Sequence, residues 1–206
     1  MTGLQSRCAN WYQRLRILKF RWLSDCRNVV GCPVIRQPVQ MVGQGTIRFN
    51  GAVNLGWFPS AHFFSGYIYI EARTAESVIE IEDSVNINND SVLVSEGAGI
   101  YIGKRSMLGT HCEIIDSDFH DLHPDRRHGG VGKMGKVVIG ENVLIGSNVK
   151  ILKGVRIGNN AVIANGSVVT RSIPENAMAF GNPARAGFGL MPEDAVATRT
   201  PSEVTR

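Results

Sequence analysis

A chain of 206 residues has room for one domain or one elongated array with a substantial core, and 43% hydrophobic with 19% charged residues excludes a wholly disordered chain. The 23 glycines are in excess, yet no G-X-Y period accompanies them, so collagen is excluded, and no apolar run reaches the roughly 18 residues of a membrane span. The net charge of +4 combines a basic start, seven basic groups and one acid in residues 1–36, with a body of 15 basic and 17 acidic residues, which argues against nucleic acid as a partner.

Residues 1–36 form a basic N-terminal segment, within which residues 7–27, rich in Arg, Leu, Trp and Phe, predict a short helix. Two roles stay open for it. It can cap the open end of the following array, or it can contact an anionic membrane face, with Trp11, Phe20 and Trp22 inserting beside the arginines. The segment lacks the clean apolar run and cleavage site of a secretion signal. Cys8, Cys26, Cys32 and Cys112 make no C-x-x-C pair and read as reduced thiols of a cytoplasmic protein.

Residues 37–186 carry the repeat. Thr46 to Gly56 and Tyr67 to Ala72 read as strands of irregular first coils. Ile81, Ile87 and Leu93 are six apart; a three-residue slip follows, and Ile102, Leu108 and Ile114 resume the step. From Val138 the lines are regular: V-V-I-G-E-N, V-L-I-G-S-N, V-K-I-L-K-G, V-R-I-G-N-N, A-V-I-A-N-G, S-V-V-T-R-S. Their third positions are Ile139, Ile145, Ile151, Ile157, Ile163 and Val169, and four residues after each comes Val143, Val149, Val155, Ala161, Ser167 and Ile173. A period of six suits neither a helix nor long alternating strands. It predicts a coil of very short strands, with one large aliphatic per line stacked inward, a smaller residue near each corner, and Gly and Asn at corners needing positive φ. A β-sandwich of short strands would not explain the unbroken period.

Asp116 to Lys136 interrupts the array with 21 residues lacking the period. It holds His120, His123 and His128, four aspartates and four basic groups, and a long irregular insert in a regular scaffold is the best candidate site. Residues 187–206 read as a polar tail.

The hexapeptide lines, the histidine-bearing insert and the closing A-F-G-N-P-A-R (Ala179 to Arg185) together resemble the hexapeptide-repeat acyltransferases of the maltose, galactoside and nodulation O-acetyltransferase type. The resemblance covers roughly Ile79 to Arg185. It implies an all-β fold, a left-handed parallel β-helix, whose hand breaks the usual crossover rule, and a homotrimer with active sites between subunits. It implies acetyl-CoA as co-substrate, with no metal. The family's general base is a histidine followed four positions on by proline and seven on by arginine; His120, Pro124 and Arg127 match. A sugar hydroxyl is a weak nucleophile, and a neutral imidazole can take its proton. The imidazole's other nitrogen needs a partner, for which Asp118 is favoured over Asp116. The family's asparagine falls by count on Asn89, with Asn88 beside it; a corner role is the alternative. Cofactor contacts fall on Ser147, Asn165, Gly166, Thr170, Arg171 and Arg185, the arginines suiting phosphates. Leu144 stands where relatives often carry tryptophan.

The acceptor implied is a carbohydrate hydroxyl, with bacterial surface polysaccharide or its precursors favoured by the basic start and polar insert. An amino sugar, a serine-like acceptor and a drug stay open. Rival readings are a zinc carbonic anhydrase using His123 and His128, which lacks a third histidine between His62 and His111, and a non-catalytic scaffold.

Overall fold

The computed structural model describes residues 3–190. Among the described residues one α-helix, α1 (Gly3–Trp22), precedes a path through short strands. The first coil holds β1 (Asn28–Val30), β2 (Val34–Ile35) and β3 (Val39–Val42). The second holds β4 (Thr46–Phe49), β5 (Asn54–Leu55) and β6 (Ile68–Ala72), and the third β7 (Val78–Ile81), β8 (Asn86–Ile87) and β9 (Val92–Ser95). The fourth has β10 (Ile100–Ile102), β11 (Met107–Leu108) and β12 (Glu113–Ile115), the fifth β13 (Val137–Ile139), β14 (Leu144–Ile145) and β15 (Lys150–Ile151). The sixth has β16 (Arg156–Ile157), β17 (Val162–Ile163) and β18 (Val168–Val169); β19 (Ala177–Gly181) and β20 (Ala184–Gly189) finish the array.

Each full coil gives one strand to each of three faces. The first face runs β1-β4-β7-β10-β13-β16, the second β2-β5-β8-β11-β14-β17-β19-β20, and the third β3-β6-β9-β12-β15-β18. All pairings are parallel except β19 with β20. The result is a triangular prism, the expected left-handed parallel β-helix.

The core is the stack of large aliphatics. Ile81, Ile102, Ile139 and Ile157 succeed one another on the first face, Ile87, Leu108, Ile145 and Ile163 on the second, and Leu93, Ile114, Ile151 and Val169 on the third. All are buried, and each contributes on the order of 1.5–3 kcal/mol of burial. The three-residue slip lies where it was expected, between β9 and β10. Asp116 absorbs it: its buried carboxylate accepts from Ser95 Oγ at 2.7 Å, Glu96 N at 2.7 Å and Gly99 N at 2.6 Å. The final turn is shorter than the others, so Ile173 pairs with Ile157 and takes a large-aliphatic slot, rather than continuing the smaller series.

The corners differ from expectation in one respect. Asn142, Asn148 and Asn160 take positive φ, but the glycines two residues earlier, Gly140, Gly146 and Gly158, do not. Those glycines are needed for close approach. A Cβ on Gly146 would lie 2.3 Å from Asn165 Oδ1, and one on Gly158 would lie 2.3 Å from Glu175 N. Asn159 and Asn165 meanwhile accept Glu141 N and Ser147 N from the coil before, at 2.9 and 2.7 Å.

The ends also redraw the expected boundaries. The helix begins at Gly3 and stops at Trp22, and residues 28–36 belong to the first coil instead of the helical segment. Residues 187–189 lie in β20; the rest of the expected tail, from 191 on, is outside the described residues. Helix α1 covers the coil end only in part. Ile17 and Arg21 overhang a cavity of about 600 Å³ that Val29, Ile35, Val39 and Met41 also line. The side turned to the body is mixed: Phe20 stacks on Tyr67 with centroids 4.4 Å apart, buried Gln13 donates to the Arg36 and Phe63 carbonyls at 2.9 and 3.1 Å, and Arg16 to those of Phe63 and Gly66. Leu4, Cys8, Trp11, Leu15, Leu18 and Trp22 share the opposite stripe by helical periodicity, and all are exposed. All four cysteines are free, and burial pushes the Cys112 thiol up to about 11.

Candidate active site

Residues 116–136 leave the prism at the edge between the third and first faces, after β12 and before β13. The root is fastened as a short antiparallel ladder: Ser117 bridges Met134, Asp118 N donates to Lys133 O at 3.0 Å, and Gly135 N donates to Asp116 O at 2.8 Å. Lys153 of the next coil reaches Asp118 Oδ1 at 2.6 Å. Phe119 turns the chain outward with a φ of 61°, and the Arg73 guanidinium lies 4.8 Å from its ring. His120 follows on the exposed side of this turn, held by its backbone N–H to Asp118 O at 2.7 Å.

Beyond His120 the loop makes its own contacts. Asp121 accepts from His123 N at 2.8 Å and Arg126 Nε at 2.7 Å; the amide first and the guanidinium second hold its carboxyl below the usual range. A short 3-10 turn, Pro124–Arg126, follows with His123 as its cap. Arg127 donates to Leu122 O at 3.3 Å. Residues 121–127 therefore form a tip held by their own contacts.

Two expectations are corrected here. Asp118 does not hold the His120 ring: Lys153 takes one carboxylate oxygen, and the other, Oδ2, is buried without a partner. Asn89 is fully buried, and its amide accepts Trp57 N at 3.0 Å and donates to Trp57 O and Ala61 O at 3.1 and 2.8 Å. With every polar atom of that amide spent on the 56–67 loop, Asn89 is a staple and faces no open site. Asp116, the other carboxylate weighed for His120, is committed to the slip.

A groove of about 400 Å³ runs along the second face. Its floor is the column of outward positions Asn54, Asn86, Met107 and Leu144, with Trp57 and Asn88 on one side and Ser147 and Asn165 at the upper end. Leu144, where tryptophan had been the family expectation, leaves this wall aliphatic. Asn54 and Asn86 were missed in the sequence. They pair directly between β5 and β8, and two asparagines in consecutive outward strand slots were the available signal.

The expected cofactor residues divide between two edges. Ser147, Asn165 and Gly166 lie at the edge between the second and third faces, Thr170 and Arg171 at the edge bearing His120, and Arg185 on β20. Asn165 Oδ1 and Ser147 Oγ cap neighbouring corners, accepting Ser147 N and Thr110 N at 2.7 and 3.2 Å. Arg171 and Arg185 are exposed. In a triangular prism the edge carrying His120 is opposite the second face, so one chain does not bring His120 to its own groove.

Residues 136–171 match the family described as bacterial transferase hexapeptide (six repeats). Among curated proteins none matches the chain in sequence. Solved structures do. The polysialic-acid-specific acetyltransferase NeuO is similar at 24% identity, over 80% of this chain and 83% of that one, with a TM-score of 0.53. The S84T mutant of AntD, an N-acyltransferase from Bacillus cereus in complex with dTDP and coenzyme A, is similar at 16% identity, over 87% and 91%, with a TM-score of 0.65. PerB from Caulobacter crescentus, in complex with CoA and GDP-perosamine, is similar at 22% identity, over 76% and 58%, with a TM-score of 0.50. The chain carries the bacterial transferase hexapeptide repeat, folded as the left-handed parallel β-helix that it shares with these proteins.

Proposed function

We propose that the chain is an acetyl-CoA-dependent O-acetyltransferase acting on a carbohydrate hydroxyl, as a homotrimer, with His120 as general base. The observation that carries this reading is the division of the site. A groove with polar ends lies on one face, and the insert presenting an unpaired imidazole lies on the opposite edge. Apposing the His120 edge of one copy to the groove of the next completes a site that one copy lacks. Thr170 and Arg171 would then join Ser147 and Asn165 around one ligand, with Arg171 and Arg185 free to meet its phosphates.

The chemistry follows from the imidazole. His120 makes no side-chain hydrogen bond within the described chain, so its ring is available to an acceptor hydroxyl. The ring nitrogen takes the hydroxyl proton as the oxygen attacks the thioester carbonyl; the C–S bond then breaks, and the proton passes to the departing thiolate. No covalent enzyme intermediate is needed. His120→Ala is expected to keep assembly and CoA binding and to lose at least about 10²-fold in transfer. Unchanged turnover would remove the assignment. Sedimentation of the parent as a monomer would remove the shared site.

A second reading is N-acetylation of a nucleotide-linked amino sugar, supported by the likeness to AntD with its dTDP. Free and polymeric sugars assayed against dTDP- and GDP-linked amino sugars separate the two readings by which acceptor consumes acetyl-CoA.

The place of work we infer is an anionic membrane surface, where a lipid-linked glycan would be met. The support is the exposed stripe of α1, with Trp11 at 65% and Trp22 at 83%, flanked by Arg7, Arg14, Lys19 and Arg21. The same charges oppose pairing of this stripe with a second copy. Binding to vesicles containing phosphatidylserine, absent with neutral vesicles and lost in Trp11→Ala/Trp22→Ala, is the expected result; equal partitioning of parent and variant overturns it.

A further inference from the structure

We propose that His62, Asp90 and His111 form a site for a divalent transition-metal ion such as Zn²⁺. The three lie in the second, third and fourth coils, on the edge between the second and third faces. Successive coils stack about 4.8 Å apart, so side chains at one corner meet across coils. Asp90 Oδ2 is 3.3 Å from His111 Nε2 and 3.8 Å from His62 Nδ1, and the three ligand atoms all fall within 4.8 Å of one another. The two imidazoles meet edge to face with centroids 4.4 Å apart. Ligand atoms around tetrahedral zinc stand roughly 3.3 Å from one another, as bonds of about 2.0–2.1 Å require. A small rotation of His62 therefore completes the triangle.

The ligands are held before any ion arrives. Gln37, fully buried, accepts Asp90 N at 2.9 Å and donates to His62 O at 3.0 Å, fixing two of the three backbones together. His111 N donates to Asn89 O at 3.0 Å. Asp90 Oδ1 takes Tyr67 N at 2.9 Å, which leaves Oδ2 for the ion. All three residues are left-handed, with φ of 59°, 63° and 56°, on the edge where the regular coils place the left-handed Asn148 and Gly166. Arg16 is the neighbouring permanent cation, but its hydrogen bonds go to Gln13 and to the Phe63 and Gly66 carbonyls, and none goes to Asp90.

Two imidazoles and one carboxylate suit zinc, cobalt or nickel better than magnesium or calcium, and three protein ligands leave a position for water. Bound there, the ion would tie the 56–67 loop to the next two coils. Trp57, a wall of the groove, stands in that loop.

The test uses the untagged full-length chain, stripped of metal, titrated with Zn²⁺ by calorimetry and with Co²⁺ by visible absorption. One ion per chain and a zinc-dependent rise in unfolding temperature are expected. His111→Asn installs the residue that left-handed corners accept most readily, so it should fold as well as the parent, yet bind Zn²⁺ at least about 10-fold more weakly. Asp90→Asn keeps the acceptor for Tyr67 N and should show the same loss. Parent-like zinc affinity in both variants, or no binding by the parent, overturns the proposal. So does loss of binding in His123→Ala/His128→Ala, which would move the ion to the insert.

Discussion

Residues 56–67 and 116–136 both leave the coil between two strands, yet their polar groups are spent in opposite ways. The first loop is fastened from outside along its length. Asn89 holds Trp57 and Ala61, Gln37 holds His62, Gln13 and Arg16 hold Phe63, and Asp90 holds Tyr67. The second is fastened only at its root, through Asp116, Ser117 and the Asp118–Lys153 pair. Its outer contacts, Asp121 with Arg126 and Arg127 with Leu122, are internal to the loop. One excursion is thus part of the wall. The other is a stalk that presents side chains to something else, and histidine composition alone does not separate the two roles.

Exchanging each loop for a short Gly-Ser linker gives the largest contrast. Replacing 119–132 should leave the unfolding temperature of the full chain nearly unchanged while transfer falls by at least about 10²-fold. Replacing 57–65 should instead unfold the first coils, because it strands the buried amides of Gln13, Gln37 and Asn89. At the roots, Asp116→Ala should cost about 3 kcal/mol in denaturant unfolding, since three donors lose a buried carboxylate. Asn89→Ala, which strands three uncharged backbone groups, should cost about 2 kcal/mol and raise fluorescence quenching of Trp57. Lys153→Met should cost about 1–2 kcal/mol, because it leaves the mostly buried Asp118 carboxylate without its cation. A fall in turnover larger than that cost would show that the stalk's angle matters to His120.

The regular coils were legible because each line repeats one physical task. Ile139 through Val169 could be placed inward from the period alone, and the slip after Leu93 appeared as a change of step. Excess glycine marks corners in two ways: Gly154 and Gly166 take the positive φ, as do Asn142, Asn148 and Asn160, whereas Gly140, Gly146 and Gly158 serve close approach. The insert was legible as an interruption of the period. Asp118 and Asn89 were misjudged because a single sequence does not reveal who shares a hydrogen bond across coils. Lys153 lies 35 residues from Asp118, and Trp57 lies 32 from Asn89. The meeting of His62 with His111 was hidden for the same reason, since the irregular second coil has no period by which to align them.

Strand β20 folds back antiparallel on β19 at the end of the second face. A stack of parallel coils could otherwise accept another stack end to end and grow into a fibre. This hairpin covers the last parallel strand of that face with the chain's own backbone, while β16 and β18 are the last strands of the other two faces. At the opposite end β1, β2 and β3 keep outward edges, and α1 leans on β3. The two ends are therefore unequally guarded. Truncating the helix would uncover the edge by β3 at one pole, while at the other pole β20 still covers the end of the second face.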